Sequence, residues 1–168
     1  MNPFKTVRNF IDTRVKQFGA QYKAFAIFGI FNYPVAYFAE LYETGYIETD
    51  NLALRIIAFL LCVGLYYFSK KNHKYLPVYW CFTIMFSVPL LTTYLLLKNN
   101  FSLGWLTNFN VGVLITILLF DWVSFIIIEV IGICLGSAIF ILTYETLPSL
   151  PVHENLSLFF YLLFCILI

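Results

Sequence analysis

Four side chains that can make polar contacts lie close together within one otherwise apolar stretch: Trp105, Thr107, Asn108 and Asn110. An amide that faces lipid would leave its hydrogen-bonding atoms unsatisfied, so we expect Asn108 to face another helix or a ligand. Trp105 stands three positions before Asn108, which places both on one face of a helix. Trp105 alone is also typical of an interfacial aromatic belt. The two residues together predict a pocket with an aromatic wall and a hydrogen-bonding partner for a polar head group.

Three ionisable residues within or at the ends of apolar stretches are further candidates, because a charge in a membrane costs roughly 2.5–3.5 kcal/mol on insertion scales. Glu40 and Arg55 fall at the same end of consecutive stretches. They can form an interfacial ion pair, extend into the interface, or contribute to a polar relay. Glu129 lies about two turns into another stretch. It can be a protonated packing residue, the partner of a polar group on another helix, or part of a ligand site.

The sequence contains no recognisable catalytic or metal-binding motif. Its two histidines lie in predicted loops on opposite sides of the membrane, and no Ser/His/Asp set, glycine-rich phosphate loop or H-E-x-x-H is present. The four cysteines each stand alone in a different apolar stretch, which is typical of packing residues: Cys62, Cys81, Cys134 and Cys165. We therefore predict no catalytic residue, no metal site and no cofactor in this segment.

The composition places these candidates in a membrane. Of the 168 residues, 61% are hydrophobic and 11% are charged, whereas a soluble domain has about 45–50% apolar and about 25% charged residues. Such a chain cannot build a water-facing surface, so we predict an integral membrane protein. The formal net charge of +1 gives no reason to expect nucleic acid as a partner.

Apolar stretches of about 20 residues predict membrane-spanning helices. We predict six spans, at approximately 24–41, 52–68, 75–97, 101–120, 122–143 and 155–168. The stretch from Phe101 to Thr143 is too long for one crossing at about 1.5 Å per residue, so we expect a hairpin that turns near Asp121 and Trp122. The last stretch is short and no interfacial anchor follows it, so we expect the chain to be truncated inside its sixth helix.

The charged residues predict the orientation of the spans. Residues 1–23 contain five basic residues and an apolar stripe at three- and four-residue spacing, which indicates an amphipathic helix in the membrane interface. The 69–74 loop is also basic, whereas the 43–51 and 144–154 loops carry acidic residues only. Since Lys and Arg stay on the cytoplasmic side, both termini are predicted to be cytoplasmic. The prediction is an all-α membrane protein, in which residues 24–168 form a six-transmembrane helical bundle.

Small residues and prolines within the spans predict how the helices pack. Gly132 and Gly136 form a G-x-x-x-G pair, which allows close approach of two helices within the bundle or between two copies in a homodimer. Pro34 and Pro89 permit kinks that can act as hinges.

The sequence resembles the membrane sensor domain of the α-hydroxyketone quorum-sensing histidine kinases, the CqsS/LqsS family. The elements that carry the resemblance are, in order, Pro34-Val35-Ala36-Tyr37 with Glu40, Asn51-Leu52-Ala53-Leu54-Arg55, Tyr75-Leu76-Pro77-Val78-Tyr79, Phe82-Thr83-Ile84 with Pro89, and Asn99-Asn100 before Trp105-Leu106-Thr107-Asn108-Phe109. Their order and spacing extend along most of the chain.

The resemblance implies a receptor in the bacterial inner membrane whose sixth helix leads into a cytoplasmic histidine kinase. ATP and Mg²⁺ would be needed only by that kinase. The implied ligand is an amphiphilic α-hydroxyketone, whose binding shifts the kinase toward its phosphatase state. The implied protein partners are a second copy of the chain and a downstream phosphotransfer protein.

The resemblance also implies roles for individual residues. Trp105 and Asn108 match ligand-facing positions, and Asn108 stands where the family commonly has a serine. Four further residues are expected to contact the alkyl tail: Phe109, Phe160, Leu163 and Phe164.

Two other classes of membrane protein remain as alternatives. Glu129 would suit a small proton- or solute-coupled transporter, although such folds usually show internal repeats or several acidic residues along a path, and the sequence shows neither. A membrane-embedded lipid enzyme would need His, Asp or Ser clustered at one depth, and the sequence shows no such cluster.

Overall fold

The computed structural model describes residues 19–45, 49–71 and 75–144. These residues form helices and contain no β-strand. The helices are α1 (Gly19–Thr44), α2 (Thr49–Lys71), α3 (Leu76–Lys98), α4 (Leu103–Leu119) and α5 (Trp122–Tyr144). All but α4 are long and apolar enough to cross a membrane, and α4 is an apolar helix of 17 residues. The described part of the chain is therefore the all-helical membrane protein that the composition predicts.

Parts of the predicted architecture lie outside the described residues. Residues 1–18 of the predicted amphipathic segment lie outside the described residues. Helix α1 begins at Gly19, whereas the first span was predicted to begin at Ala24. The predicted sixth span at 155–168 lies wholly outside, and with it Phe160, Leu163 and Phe164. The count of six spans, the interfacial helix and the cytoplasmic termini stay predictions.

The 101–143 stretch forms two helices because Phe120 ends the first and Asp121 caps the second. Phe120 adopts an extended backbone and ends α4. The Asp121 carboxylate then accepts the backbone N–H groups of Val123 at 3.2 Å and Ser124 at 3.4 Å, and the Ser124 hydroxyl donates to it at 2.6 Å. These contacts satisfy N–H groups that the first turn of α5 leaves without helical partners.

Helix α3 lies at the centre of the bundle. In its most apolar window 72% of the residues are buried, against 33% or less in the other three candidate spans. Its middle, Phe86–Leu90, is a π-helical turn that contains Pro89. Proline has no N–H to donate, so the regular pattern of helical hydrogen bonds is interrupted at this turn.

The two glycines of the G-x-x-x-G pair pack α5 against this irregular turn. A Cβ atom at Gly132 would lie 2.5 Å from the Pro89 ring, and one at Gly136 would lie 2.6 Å from the Leu90 carbonyl oxygen. Only a residue without a side chain allows this approach. The structure therefore uses the pair for packing within the bundle, and homodimer formation stays a prediction.

An aromatic cluster joins α1 to the first half of α3. Trp80 is fully buried. Its ring lies 5.0 Å from Tyr22 and 5.5 Å from Phe25 of α1, and 5.8 Å from Phe120 at the end of α4. The cluster joins α1 to α3 at this end of the bundle.

Candidate ligand-binding site

A cavity of about 630 Å³ lies among α1, α2, α3 and α4. Helix α3 forms its floor, α1 and α4 form its two long walls, and α2 contributes one residue at one end. The lining residues are Phe25, Phe28, Asn32, Tyr33, Ala36, Ala39, Glu40, Arg55, Ser87, Val88, Leu91, Thr92, Leu95, Asn99, Gly104, Trp105, Asn108, Val111, Gly112 and Ile115. The volume is within the range of ligand pockets in proteins, about 300–1,000 Å³.

One end of the cavity is polar, and we call it the Glu40 end, formed by Glu40, Arg55, Asn99 and Trp105. Arg55 Nη2 donates to Glu40 Oε2 at 2.5 Å. Asn51, which is 1% exposed, bridges the pair: its Nδ2 donates to Glu40 Oε2 at 2.8 Å, and its Oδ1 accepts from Arg55 Nε at 2.8 Å. The sequence places Glu40 and Arg55 at the same end of two consecutive helices, and the structure joins them in a partly buried ion pair.

Amide side chains continue the polar surface along α3 and α4. Asn99 ends α3 and donates from Nδ2 to the Leu95 carbonyl at 2.8 Å. Asn108 lines the opposite wall, one helical turn below Trp105, and its side chain is exposed. Trp105 and Asn108 thus lie on the same wall of the cavity.

A second group of polar side chains lies at the middle of the cavity. The Tyr33 hydroxyl donates to the Ser87 carbonyl at 2.9 Å, and the Thr92 hydroxyl donates to the Val88 carbonyl at 2.7 Å. The Ser87 hydroxyl is buried and has no hydrogen-bond partner within the described residues.

The other end of the cavity is apolar, and we call it the Phe25 end, formed by Phe25, Phe28 and Ile115. On α1, Phe25 lies 15 residues before Glu40, so the cavity extends roughly 22 Å along the helix axis at a rise of 1.5 Å per residue. A long, narrow site with polar groups at one end suits an amphiphile with a single extended tail.

Two of the predicted site residues lie away from the cavity. Phe109 is 5% exposed and packs in the hydrophobic core, so its predicted contact with the alkyl tail has no support from the cavity lining. Glu129 on α5 is 6% exposed. Both of its carboxylate oxygens lack a hydrogen-bond partner within residues 19–45, 49–71 and 75–144. Thr116 lies beside it on α4, and its hydroxyl donates to the Gly112 carbonyl at 3.0 Å.

The spacing of five residues in α1 indicates which face of this helix lines the cavity. Phe25, Phe28, Asn32, Ala36 and Glu40 recur at three- and four-residue spacing, which places them on one face of a helix. Asn32 and Glu40 on that face mark it as unsuited to lipid. Ser87 carried no comparable signal, because a lone serine in an apolar helix usually packs without a special role.

The helical fold and the amphiphilic cavity fit a membrane sensor domain. Among curated proteins, the chain is similar to the CAI-1 autoinducer sensor kinase/phosphatase CqsS of Vibrio cholerae, with 33% identity over 95 residues. The matched region covers 54% of this chain and 14% of that protein, so the chain spans a small part of its relative's length. No family model matches the chain, and no solved structure matches it.

Proposed function

We propose that this chain is the membrane receptor domain of a quorum-sensing histidine kinase and that it binds an amphiphilic α-hydroxyketone in the cavity between α1 and α4. The observation that carries the proposal is the cavity itself, which joins a polar Glu40 end to an apolar Phe25 end. The similarity to CqsS supports the class of receptor. The proposed location is the bacterial inner membrane.

A ligand that enters from the bilayer needs a cavity that offers both tail packing and head-group hydrogen bonds. Moving an alkyl tail from lipid into protein gains little hydrophobic free energy, because lipid is already apolar. Discrimination must then come from tail packing and from head-group hydrogen bonds, each worth about 0.5–1.5 kcal/mol net. Asn108 and Trp105 lie on the wall next to the polar end, where they would contact the head group and the first carbons of the tail.

Signal output requires two bundle states with different affinities for the ligand. The floor of the cavity includes Ser87 and Val88 of the π-helical turn, and the opposite face of this turn packs against Gly132 and Gly136 of α5. A ligand that shifts this turn would move α5. We propose that this movement changes the kinase-to-phosphatase balance of a cytoplasmic domain, which would use ATP and Mg²⁺, act as a homodimer and pass phosphate to a downstream phosphotransfer protein.

Binding to the purified chain in lipid nanodiscs tests this proposal. We expect 2-hydroxydodecan-3-one to bind, and Asn108→Ala to weaken its binding more than that of dodecan-2-ol, which lacks the keto group. Thr107→Ala is the matched control, because Thr107 is exposed, bonds its own helix at 2.9 Å and does not line the cavity. Equal losses for both compounds would remove Asn108 from head-group recognition, and no binding to the wild-type chain would refute the proposed function.

Glu129 supports one alternative, a small proton- or solute-coupled transporter. A carboxyl group buried within an apolar helix is a feature of proton-carrying sites in membrane transporters. Proton-coupled flux into liposomes that Glu129→Gln abolishes would favour this alternative.

A further inference from the structure

We propose that the Glu40–Arg55 pair takes part in head-group recognition together with Asn108 and that the pair selects uncharged amphiphiles. The hydroxyl of a bound α-hydroxyketone would donate to the Glu40 carboxylate, and its keto oxygen, which has two lone pairs, would accept from the Arg55 guanidinium and from the Asn108 amide. The identity of this ligand rests on the proposed function, whereas the selection against charged head groups depends only on the geometry of the pair.

The first support is the position of the two charges. Both side chains line the cavity at its polar end, and Arg55 is 5% exposed. Asn51 contacts both of them at 2.8 Å and lies behind them, outside the cavity lining. An exposed ion pair would exchange its partners with water and would not hold a fixed geometry. This pair is held by a third side chain, so its donors and acceptors are oriented before a ligand arrives.

The second support is the charge balance. In the part of the chain that the structure describes, Glu40 and Arg55 are the two charged residues that line the cavity, and their formal charges cancel. A carboxylate or an ammonium group would lose its hydration here and would meet an attractive and a repulsive charge side by side. A hydroxyketone loses less hydration and gains hydrogen bonds to charged partners, which are roughly twice as strong as those between neutral groups.

Three probes with twelve carbons each distinguish these cases: 2-hydroxydodecan-3-one, dodecanoate and dodecylammonium. Binding is measured in nanodiscs of zwitterionic lipid by titration calorimetry, with empty nanodiscs to subtract partitioning into lipid. We expect the wild-type chain to bind the hydroxyketone at least about tenfold more tightly than either charged probe. Wild-type protein that binds dodecanoate or dodecylammonium as tightly as the hydroxyketone would overturn the inference, and this measurement needs no variant.

Glu40→Gln gives the sharper result, because it keeps the shape of the side chain and leaves the positive charge of Arg55. We expect hydroxyketone binding to weaken by about tenfold and dodecanoate binding to tighten by about tenfold or more. The double variant Glu40→Gln/Arg55→Gln restores neutrality and should lose the gain in dodecanoate binding. A folded Glu40→Gln variant that does not gain dodecanoate binding would overturn the inference.

The outcomes separate this inference from the proposed function. Wild-type protein that binds dodecan-2-ol but neither the hydroxyketone nor a charged probe would refute the proposed ligand and uphold the selection of uncharged head groups. Wild-type protein that binds the hydroxyketone, with a Glu40→Gln variant unchanged toward all probes, would uphold the proposed function and overturn the role of the pair. Wild-type protein that binds none of the probes would overturn both.

Discussion

The hydroxyl of Tyr33 on α1 donates a 2.9 Å hydrogen bond to the main-chain carbonyl of Ser87 in the π-helical turn of α3. Tyr33 is 7% exposed and lines the cavity. The bond thus links a cavity wall directly to the irregular backbone of the central helix. A ligand that displaces Tyr33 would change the hydrogen bonding of the turn against which α5 packs.

Tyr33→Phe removes this bond and keeps the ring. We expect it to lower the free energy of unfolding by about 0.5–1.5 kcal/mol, because the Ser87 carbonyl loses a partner. Unfolding in detergent by SDS titration measures the change. Tyr42→Phe is the matched control, since Tyr42 lies on the same helix and is 92% exposed. Equal, small effects of both substitutions would show that the bond does not stabilise the bundle.

Alanine at Gly132 or Gly136 should destabilise the bundle. The added methyl group would lie within about 2.6 Å of the Pro89 ring or the Leu90 carbonyl, and such overpacking typically costs about 1–3 kcal/mol. Gly104→Ala is the control, because nothing lies within 4 Å of its added Cβ. The same SDS titration measures all three, and a Gly132→Ala variant as stable as Gly104→Ala would show that α5 does not pack closely on α3.

Arg55 and Glu40 should show strong energetic coupling. Arg55→Gln removes the cation beside Glu40, and breaking a buried ion pair costs about 3–5 kcal/mol. Because the Glu40 side chain remains 18% exposed, solvent screens the pair and we expect a cost below about 3 kcal/mol in this case. Glu40→Gln/Arg55→Gln should cost less than the sum of the single changes. A double-mutant cycle in SDS measures the coupling, and additive losses would contradict a pair that acts as a unit.

The two tryptophans of the later helices should differ in their effect on ligand binding. Trp105→Leu removes part of a cavity wall and should weaken 2-hydroxydodecan-3-one binding by about tenfold, which corresponds to 1.4 kcal/mol. Trp122→Leu is the matched control, because Trp122 is 73% exposed and does not line the cavity. Equal binding by both variants would place the ligand elsewhere.

The parts of the site that could be predicted from the sequence depend on short-range spacing. Trp105 and Asn108 share a helix face, and Glu40 and Arg55 fall at facing ends of two consecutive helices, so local geometry brings each pair together. Phe109 stands next to Asn108 but does not line the cavity, because adjacent residues on a helix point about 100° apart. Its side chain therefore faces the core.

The π-helical turn and the cavity floor could not be predicted in this way. Pro89 indicated an irregular helix, but the type of irregularity depends on contacts with Tyr33, Gly132 and Gly136 on two other helices. These contacts join residues that are more than 40 positions apart in sequence, and no local pattern specifies them. The same holds for the position of Ser87 in the cavity floor.

The account depends most on the claim that the ligand occupies the cavity between α1 and α4. Photocrosslinking with a 2-hydroxydodecan-3-one analogue that carries a diazirine in its tail, followed by peptide mass spectrometry, tests it directly. We predict adducts on cavity residues of α1 and α4, such as Phe28 and Val111, that excess unlabelled hydroxyketone abolishes. Competed adducts confined to exposed α5 residues such as Val130, or no competed adducts at all, would contradict the account.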